Sequence, residues 1–196
     1  IGCDDHYPRE NFQMELEGDG AFLCQNSWGS EFGDGGRFWV SYYDQYIGKT
    51  NLVYTGLEKP EDSEKIYQSD LCGWVGQMGY GREDAYGANV YEAGEQETLH
   101  GAGFYATGEH TSYEIYVARD LEHNKGFQKR QLMAKGEVRY SGYYTVKWDD
   151  GIELEPGERF AVIFYVKTPG AVHPLAIEYR ADDATSMADI SDGEGY

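Results

Sequence analysis

The sequence predicts a mainly β protein, and composition and turn spacing both support this. Tyrosine (18 residues) and glycine (26 residues) are abundant, which favours strands joined by tight turns over helices. No long run of Ala, Leu, Glu and Lys shows helical spacing. Short apolar or alternating segments separated by glycine-rich turns recur roughly every 10 to 15 residues, a pattern typical of β-sandwiches.

The chain divides into four parts. Residues 1–56 form a first compact segment, and the charged, apolar-poor stretch 57–65, broken by Pro60, has the composition of a linker. Residues 66–180 carry the recurring strand pattern. Residues 181–196 form an acidic tail of small residues.

In the first segment, apolar stretches predict strands over 20–26, 36–43 and 51–54. The polar stretch from Asp5 to Asp19 predicts a long surface loop. In the second part, residues 160–166 are a continuous apolar run, typical of a central strand buried on both faces. The remaining predicted strands are 88–92, 99–106, 113–118, 138–140, 143–148 and 175–179.

Charge restricts the range of partners. With 35 acidic and 16 basic residues the net charge is −19, which repels nucleic acid phosphates and anionic membrane surfaces, so we expect neither as a partner. Two interpretations of the excess charge stay open: simple solubility, and divalent cation binding by a few carboxylates. No apolar run is long enough for a membrane span.

Three cysteines are too few for a disulfide scaffold. Cys3 and Cys24 lie in neighbouring apolar segments, where they form either two buried free thiols or one bridge. Cys72 is expected to be a packed thiol of the second part.

One motif carries a specific chemistry. The run Gln25-Asn26-Ser27-Trp28-Gly29, followed by Gly33 and by Gly36-Arg37-Phe38-Trp39, resembles the asparagine segment of papain-like cysteine peptidases, N-S-W-G-x-x-W-G-x-x-G. The resemblance covers about the first 55 residues and implies the C-terminal portion of a papain-like β-barrel half-domain. Phe32 stands where the family has a second Trp, and Arg37 where Tyr is common.

The resemblance implies roles for two residues. A thiolate nucleophile needs an imidazole beside it, and the imidazole needs a third group that fixes its ring. Asn26 would orient the catalytic His through its carbonyl oxygen, and Trp28 would shield the Asn–His hydrogen bond from water. Ile1-Gly2-Cys3-Asp4-Asp5 is similar to the stretch after the catalytic His, so we expect the Cys and His upstream of this chain, which alone lacks nucleophile and base.

Two other residues are weak candidates for that chemistry. His6 falls after the expected position of the catalytic His and is interpreted as an exposed loop residue. Cys72 follows Asn26 in the chain, which is the wrong order for the nucleophile.

Several loose motifs in the second part resemble the lectin-like domain that follows the peptidase in some clostridial cell-surface cysteine proteases. This resemblance implies a jelly-roll-type β-sandwich and a secreted or bacterial cell-surface location. The motifs are 66–74, 88–91, 103–105, 113–117, 154–162 and 174–178.

The second part is rich in aromatic residues, which would suit stacking against sugars. The same residues are also explained by strand propensity and core packing alone. They are Tyr80, Tyr86, Tyr105, Tyr140, Tyr143, Tyr144 and Trp148.

The predicted function is therefore that of a fragment of a secreted or cell-surface bacterial cysteine endopeptidase with an appended lectin-like domain. Expected partners are protein substrates, the upstream peptidase portion and cell-wall glycan. The alternative is a carbohydrate or cell-wall binding module attached to a vestigial peptidase. A third hypothesis is that the sandwich is purely structural and braces the peptidase domain. No cofactor is required. Calcium in the sandwich would draw on oxygens from Asp70, Glu178, Asp182 and Asp183, although no D-x-D-x-D-G loop of EF-hand type supports it.

Overall fold

The chain forms two compact units, Ile1–Glu58 and Lys59–Tyr196, which we describe separately. A computed structural model describes residues 1–49, 51–56, 59, 64–122, 126–180, 185 and 195. Most of the predicted linker and tail therefore lies outside the described residues. No helix in the described part of the chain is long and apolar enough to cross a membrane.

The first unit is built on a three-stranded antiparallel sheet in the order β1-β2-β3. The strands are β1 (Gly2–Asp4), β2 (Ala21–Gln25) and β3 (Arg37–Ser41). The predictions of strands over 20–26 and 36–43 are thus confirmed, and β1 was not predicted.

The predicted strand over 51–54 is wrong. These residues belong to no strand of the described chain, and Leu52, Val53 and Tyr54 are exposed. Apolar composition alone does not make a strand where no neighbour supplies hydrogen bonds.

The loop from Asp5 to Asp19 is confirmed and contains one 3₁₀ turn, Arg9–Asn11. It is held to the sheet by Tyr7, whose ring stacks on Trp39 with centroids 4.5 Å apart.

The expectation that Cys3 and Cys24 are both buried is wrong for Cys3. Both are free thiols, so no bridge joins them. Cys24 is half-buried, whereas Cys3 is exposed because β1 is an edge strand whose side chains are all exposed.

In its described residues the second unit contains eight strands and the 3₁₀ turn Phe127–Lys129. The chain is thus mainly β, as predicted. The strands are β4 (Gly76–Met78), β5 (Asp84–Glu92), β6 (Glu97–Ala106), β7 (Thr111–Ala118), β8 (Arg130–Val138), β9 (Gly142–Leu154), β10 (Arg159–Lys167) and β11 (Leu175–Ile177).

These strands form a sandwich of antiparallel sheets, which confirms the predicted architecture. A four-stranded sheet has the order β5-β10-β7-β8, and two-stranded sheets pair β6 with β9 and β4 with β11. The β6-β9 pair packs on one face of the four-stranded sheet. The main core between them includes Phe104, Trp148 and Leu154 from the smaller sheet, and Ile115, Val117, Phe160 and Val162 from the larger one.

Strand β10 is central and buried on both faces, as its apolar run predicted. Phe160 and Val162 point into the main core, while Ala161 and Ile163 belong to a second, smaller cluster on the opposite face of the sheet. Leu121 and Phe127, from the connection between β7 and β8, cover that smaller cluster. The rest of this opposite face carries the partly exposed side chains discussed below.

Candidate functional site

Asn26 stands immediately after β2, at the end of the three-stranded sheet. Its backbone N–H donates to the carbonyl of Gly36 at 2.9 Å. Gly36 adopts φ 84°, and a Cβ at this position would lie 2.9 Å from the Gly29 carbonyl oxygen. A glycine is therefore needed here, both for the positive φ and for the close approach of the two backbone segments.

The Asn26 amide is half-buried and only partly hydrogen bonded. Its Oδ1 accepts the backbone N–H of Trp28 at 3.1 Å. Because a carbonyl oxygen has two lone pairs, Oδ1 can accept one further N–H. Its Nδ2 is buried and has no hydrogen bond partner among the described residues. An unpaired buried amide costs about 1–3 kcal/mol, which is unusual outside functional sites.

Trp28 is 76% exposed and begins a row of aromatic rings. Its indole meets Phe32 edge-on with centroids 5.2 Å apart, and Phe32 meets Phe38 edge-on at 5.6 Å. Phe32, at the position where the peptidase family has Trp, therefore keeps the aromatic packing. The predicted role of Trp28 as a shield stays a prediction.

The two weak candidates are placed as expected. His6 is exposed, and its backbone N–H donates to Asp4 Oδ1 at 2.9 Å. The backbone N–H of Cys72 donates to Glu178 Oε2 at 2.8 Å. Burial, assisted by the neighbouring Glu178 carboxylate, raises the pKa of the half-buried Cys72 thiol. A raised pKa disfavours the thiolate and argues against a nucleophilic role.

Asp70 and Glu178, the two suggested calcium ligands that the structure describes, belong to no metal-binding cluster of described residues. Asp70 Oδ2 accepts the Asn89 side-chain N–H at 2.9 Å, and Glu178 Oε1 is buried without a hydrogen bond partner among the described residues. Within that part of the chain, no three or more His, Cys, Asp or Glu side chains are placed to hold a metal. Asp182 and Asp183 lie outside it, so calcium binding stays a prediction.

Two aromatic residues suggested for sugar stacking belong to the core. Trp148 is buried, and its Nε1–H donates to the Leu99 carbonyl at 2.9 Å. Tyr144 packs against the main core beside Phe104. Of the two interpretations, core packing is therefore confirmed for these two residues, because both side chains point into the sandwich.

A second aromatic group lies on β6, β9 and the segment before β4. Tyr105 and Tyr143 are directly paired across β6 and β9, with ring centroids 5.0 Å apart, and Trp74 lies 6.1 Å from Tyr105. A Cβ at Gly103 would collide with the Tyr143 hydroxyl, so the Tyr143 ring lies over this glycine.

The opposite face of the four-stranded sheet carries another group, which we call the outer tyrosine face: Tyr86, Glu114, Tyr116, Lys135 and Tyr165. Tyr165 on β10 is paired with Tyr86 on β5 and Glu114 on β7, and Glu114 is paired with Lys135 on β8. One row of side chains therefore crosses all four strands.

Sequence reasoning found only Tyr86 of this group. Alternation along β7 and β10 places Glu114, Tyr116 and Tyr165 on one face of their strands. The order of the strands in the sheet was needed to bring them together with Lys135 on β8.

Comparisons with known proteins found similar proteins for both units of the chain. A family model described as a lectin-like domain matches residues 66–196. A solved structure of the clostridial cysteine protease Cwp84 after propeptide cleavage is 27% identical, with a TM-score of 0.73, and is matched over 100% of this chain and 50% of that one. No curated protein sequence matches.

A second similar structure contains the cysteine protease and lectin-like domains of Cwp84, a surface-layer-associated protein of Clostridium difficile. It is 25% identical, with a TM-score of 0.74, and is matched over 100% of this chain and 44% of that one. The chain therefore spans half or less of the length of these two structures.

Proposed function

This chain belongs to the lectin-like domain family, and we propose that it is the C-terminal part of a papain-like cysteine endopeptidase to which the lectin-like unit is joined. The match to Cwp84, a cysteine protease, covers the whole of this chain. It supports this proposal because it includes the first unit as well as the family domain. The observation that carries it is the placement of Asn26: the motif amide stands at a strand end with one acceptor position still available.

In the proposed enzyme, Asn26 is a positioning residue. The upstream thiolate attacks the scissile carbonyl carbon, and the imidazolium gives its proton to the departing amine, which leaves a thioester. Water then hydrolyses the thioester with the imidazole as base. Asn26 Oδ1 would accept the imidazole N–H and hold the ring in the tautomer and orientation that both steps need.

The lectin-like unit would hold the enzyme at a glycan surface. Attachment of a binding unit to a catalytic unit raises the local concentration of nearby substrate without any new contact in the active site. A bacterial cell-surface or secreted location follows from this proposal and is supported by the surface-layer association of Cwp84.

The test replaces Asn26 in the complete enzyme. We expect Asn26→Ala to lower kcat by about 10- to 100-fold, part of the contribution that a well-placed acid–base group makes. The nucleophile should remain alkylable by iodoacetamide, with an altered pH profile of alkylation, because only the orientation of its imidazole partner changes.

Asn11→Ala is the matched control, since Asn11 is exposed in the 3₁₀ turn of the same unit. It should leave both measurements unchanged. Equal kcat for Asn26→Ala and the unaltered enzyme would remove Asn26 from the mechanism.

The alternative is a carbohydrate or cell-wall binding module attached to a vestigial peptidase. The outer tyrosine face favours it, since paired rings beside charged groups are common in sugar-binding sites. A complete protein that binds glycan, does not cleave protein substrates, and contains no iodoacetamide-reactive cysteine other than Cys3, Cys24 and Cys72 would establish this alternative.

A further inference from the structure

Three residues of the outer tyrosine face, Glu114, Lys135 and Tyr165, line an open depression, and the Tyr86 ring lies against that of Tyr165. We propose that this depression binds a neutral pyranose oligosaccharide. The inference rests on the proposed glycan-binding role of the lectin-like unit and adds the location of the site. The depression has a volume of about 380 Å³, within the range of about 300–1,000 Å³ that ligand pockets usually have. Its lining residues are Ser112, Tyr113, Glu114, Lys135, Gly136 and Tyr165.

The aromatic rings of this face are fixed in place. Tyr86 and Tyr165 lie 4.8 Å apart between centroids with an interplanar angle of 43°. The Arg130 guanidinium lies over both Tyr86 and Tyr116, at 5.3 and 5.0 Å from the ring centroids. Rings held by such contacts lose little conformational freedom when a ligand stacks on them.

Among the residues that the structure describes, the covering contacts lie at one end of the sheet face, away from Tyr86. That end of the face is closed by Leu121 and Phe127 over Ala161 and Ile163. At the open end Tyr86 remains 46% exposed. The C–H face of a pyranose can pack on an apolar ring surface that is exposed to solvent in this way.

Polar groups with unused hydrogen-bonding capacity surround the rings. Glu114 accepts the Tyr116 hydroxyl through Oε2, which leaves Oε1 as an acceptor. Lys135 is opposite Glu114 in the register, yet it forms no hydrogen bond or ion pair within the described part of the chain, and the same is true of the Ser112 hydroxyl. The site therefore offers donors and an acceptor at once, which suits sugar hydroxyls.

The charges favour a neutral ligand. Lys135 and Glu114 balance one another in the depression, whereas the whole chain carries −19, so an anionic glycan would be repelled at long range. The group formed by Trp74, Tyr105 and Tyr143 provides a contrast, because its rings lie on the far side of the sandwich.

The experiment titrates the full chain with cellotetraose and chitotetraose by calorimetry. We expect one of the two to bind, and both Tyr86→Ala and Lys135→Ala to weaken that binding about tenfold, equivalent to about 1.4 kcal/mol. Both side chains are exposed, so the melting temperatures should stay near that of the unaltered chain. Tyr143→Ala is the matched control, because Tyr143 is 59% exposed on the other aromatic group, and its affinity should change less than twofold.

The outcomes separate the site from the function. Binding that survives Tyr86→Ala and Lys135→Ala but is lost in Tyr143→Ala would overturn the location and leave glycan binding intact. Tighter binding of an acidic oligosaccharide, such as tetragalacturonate, would overturn the neutral ligand. No heat with either neutral probe would overturn the site and the glycan-binding role together, while the Asn26 experiment would still decide the peptidase proposal.

Discussion

The ion pair between Arg119 and Glu158 provides a quantitative test of how the lectin-like unit is held together. Arg119 follows β7 and Glu158 precedes β10, so the pair ties two neighbouring strands at one end of the sheet. Two parallel bonds join them, Nε to Oε1 at 2.6 Å and Nη2 to Oε2 at 2.8 Å. The Glu158 side chain is 6% exposed and that of Arg119 is 42% exposed. The backbone N–H of Glu155 also donates to Glu158, at 3.0 Å.

Arg119→Ala should destabilise the fold because it leaves a nearly buried carboxylate without its cation. Removal of one partner from a fully buried pair costs about 3–5 kcal/mol, and exposed pairs contribute about 0–1 kcal/mol. Since water reaches the arginine, we expect a loss of about 1–3 kcal/mol at pH 7. The measurement is urea unfolding of the full chain.

The sign of the pH dependence follows from the pKa of Glu158. Hydrogen bonds from Arg119 lower this pKa in the folded state against the opposing effect of burial. The stabilisation is therefore fully present above the unfolded pKa of about 4.3 and is lost as the pH falls through the lower folded pKa. In Arg119→Ala the lowering of the Glu158 pKa by Arg119 is absent, so the stability difference between variant and unaltered chain should shrink below about pH 4.

Arg82→Ala is the matched control. Arg82 makes the same two-bond contact with Asp84, at 2.9 and 2.7 Å, but its side chain is largely exposed. Arg82→Ala should therefore lower the free energy of unfolding clearly less than Arg119→Ala does. Equal losses for the two variants, or a loss for Arg119→Ala that does not depend on pH, would refute the reasoning from burial.

Two further predictions concern packing. Thr111 and Thr168 share a buried hydroxyl–hydroxyl hydrogen bond of 2.8 Å. Val at either position should therefore lower the free energy of unfolding by about 1–2 kcal/mol. In thermal unfolding, the double variant should lose less stability than the sum of the two single variants. Ala at Gly101 would place Cβ 2.9 Å from a backbone carbonyl oxygen of β9, whereas Ala at Gly103 meets only the exposed ring of Tyr143. Gly101→Ala should therefore lower the melting temperature more than Gly103→Ala, and the reverse order would contradict this account.

The sequence predicted those strands whose pattern is strong over many residues. Strand β10 is a continuous apolar run, and β6 and β7 alternate clearly between the two faces. Strand β8 was almost entirely missed, since only its last residue fell within the predicted 138–140. It is an edge strand with several exposed residues and a register shift against β7, so its alternation is weak. Strands β1 and β4, at three residues each, carry no period at all.

The two candidate sites were predictable to different degrees. Asn26 could be proposed from the sequence because its motif is contiguous. The strand predicted over 20–26 ends one residue earlier, so that Asn26 directly follows β2. The outer tyrosine face was not found, since Glu114, Lys135 and Tyr165 are far apart in the chain. Which strands become neighbours is a long-range outcome of packing, and local pattern does not determine it.

The exposure of Trp28 gives the first unit an intrinsic optical reporter. An indole in water emits at longer wavelength than one in an apolar setting, and Trp148 supplies the buried counterpart within the same molecule. Selective excitation at the red edge of absorption would favour solvated indoles, and a Trp28→Phe variant would separate the signal of Trp28 from that of the other three tryptophans. Any protein surface that covers the Asn26 motif should shift the Trp28 emission to shorter wavelength and reduce its quenching by iodide. Docking could therefore be followed in real time without a label.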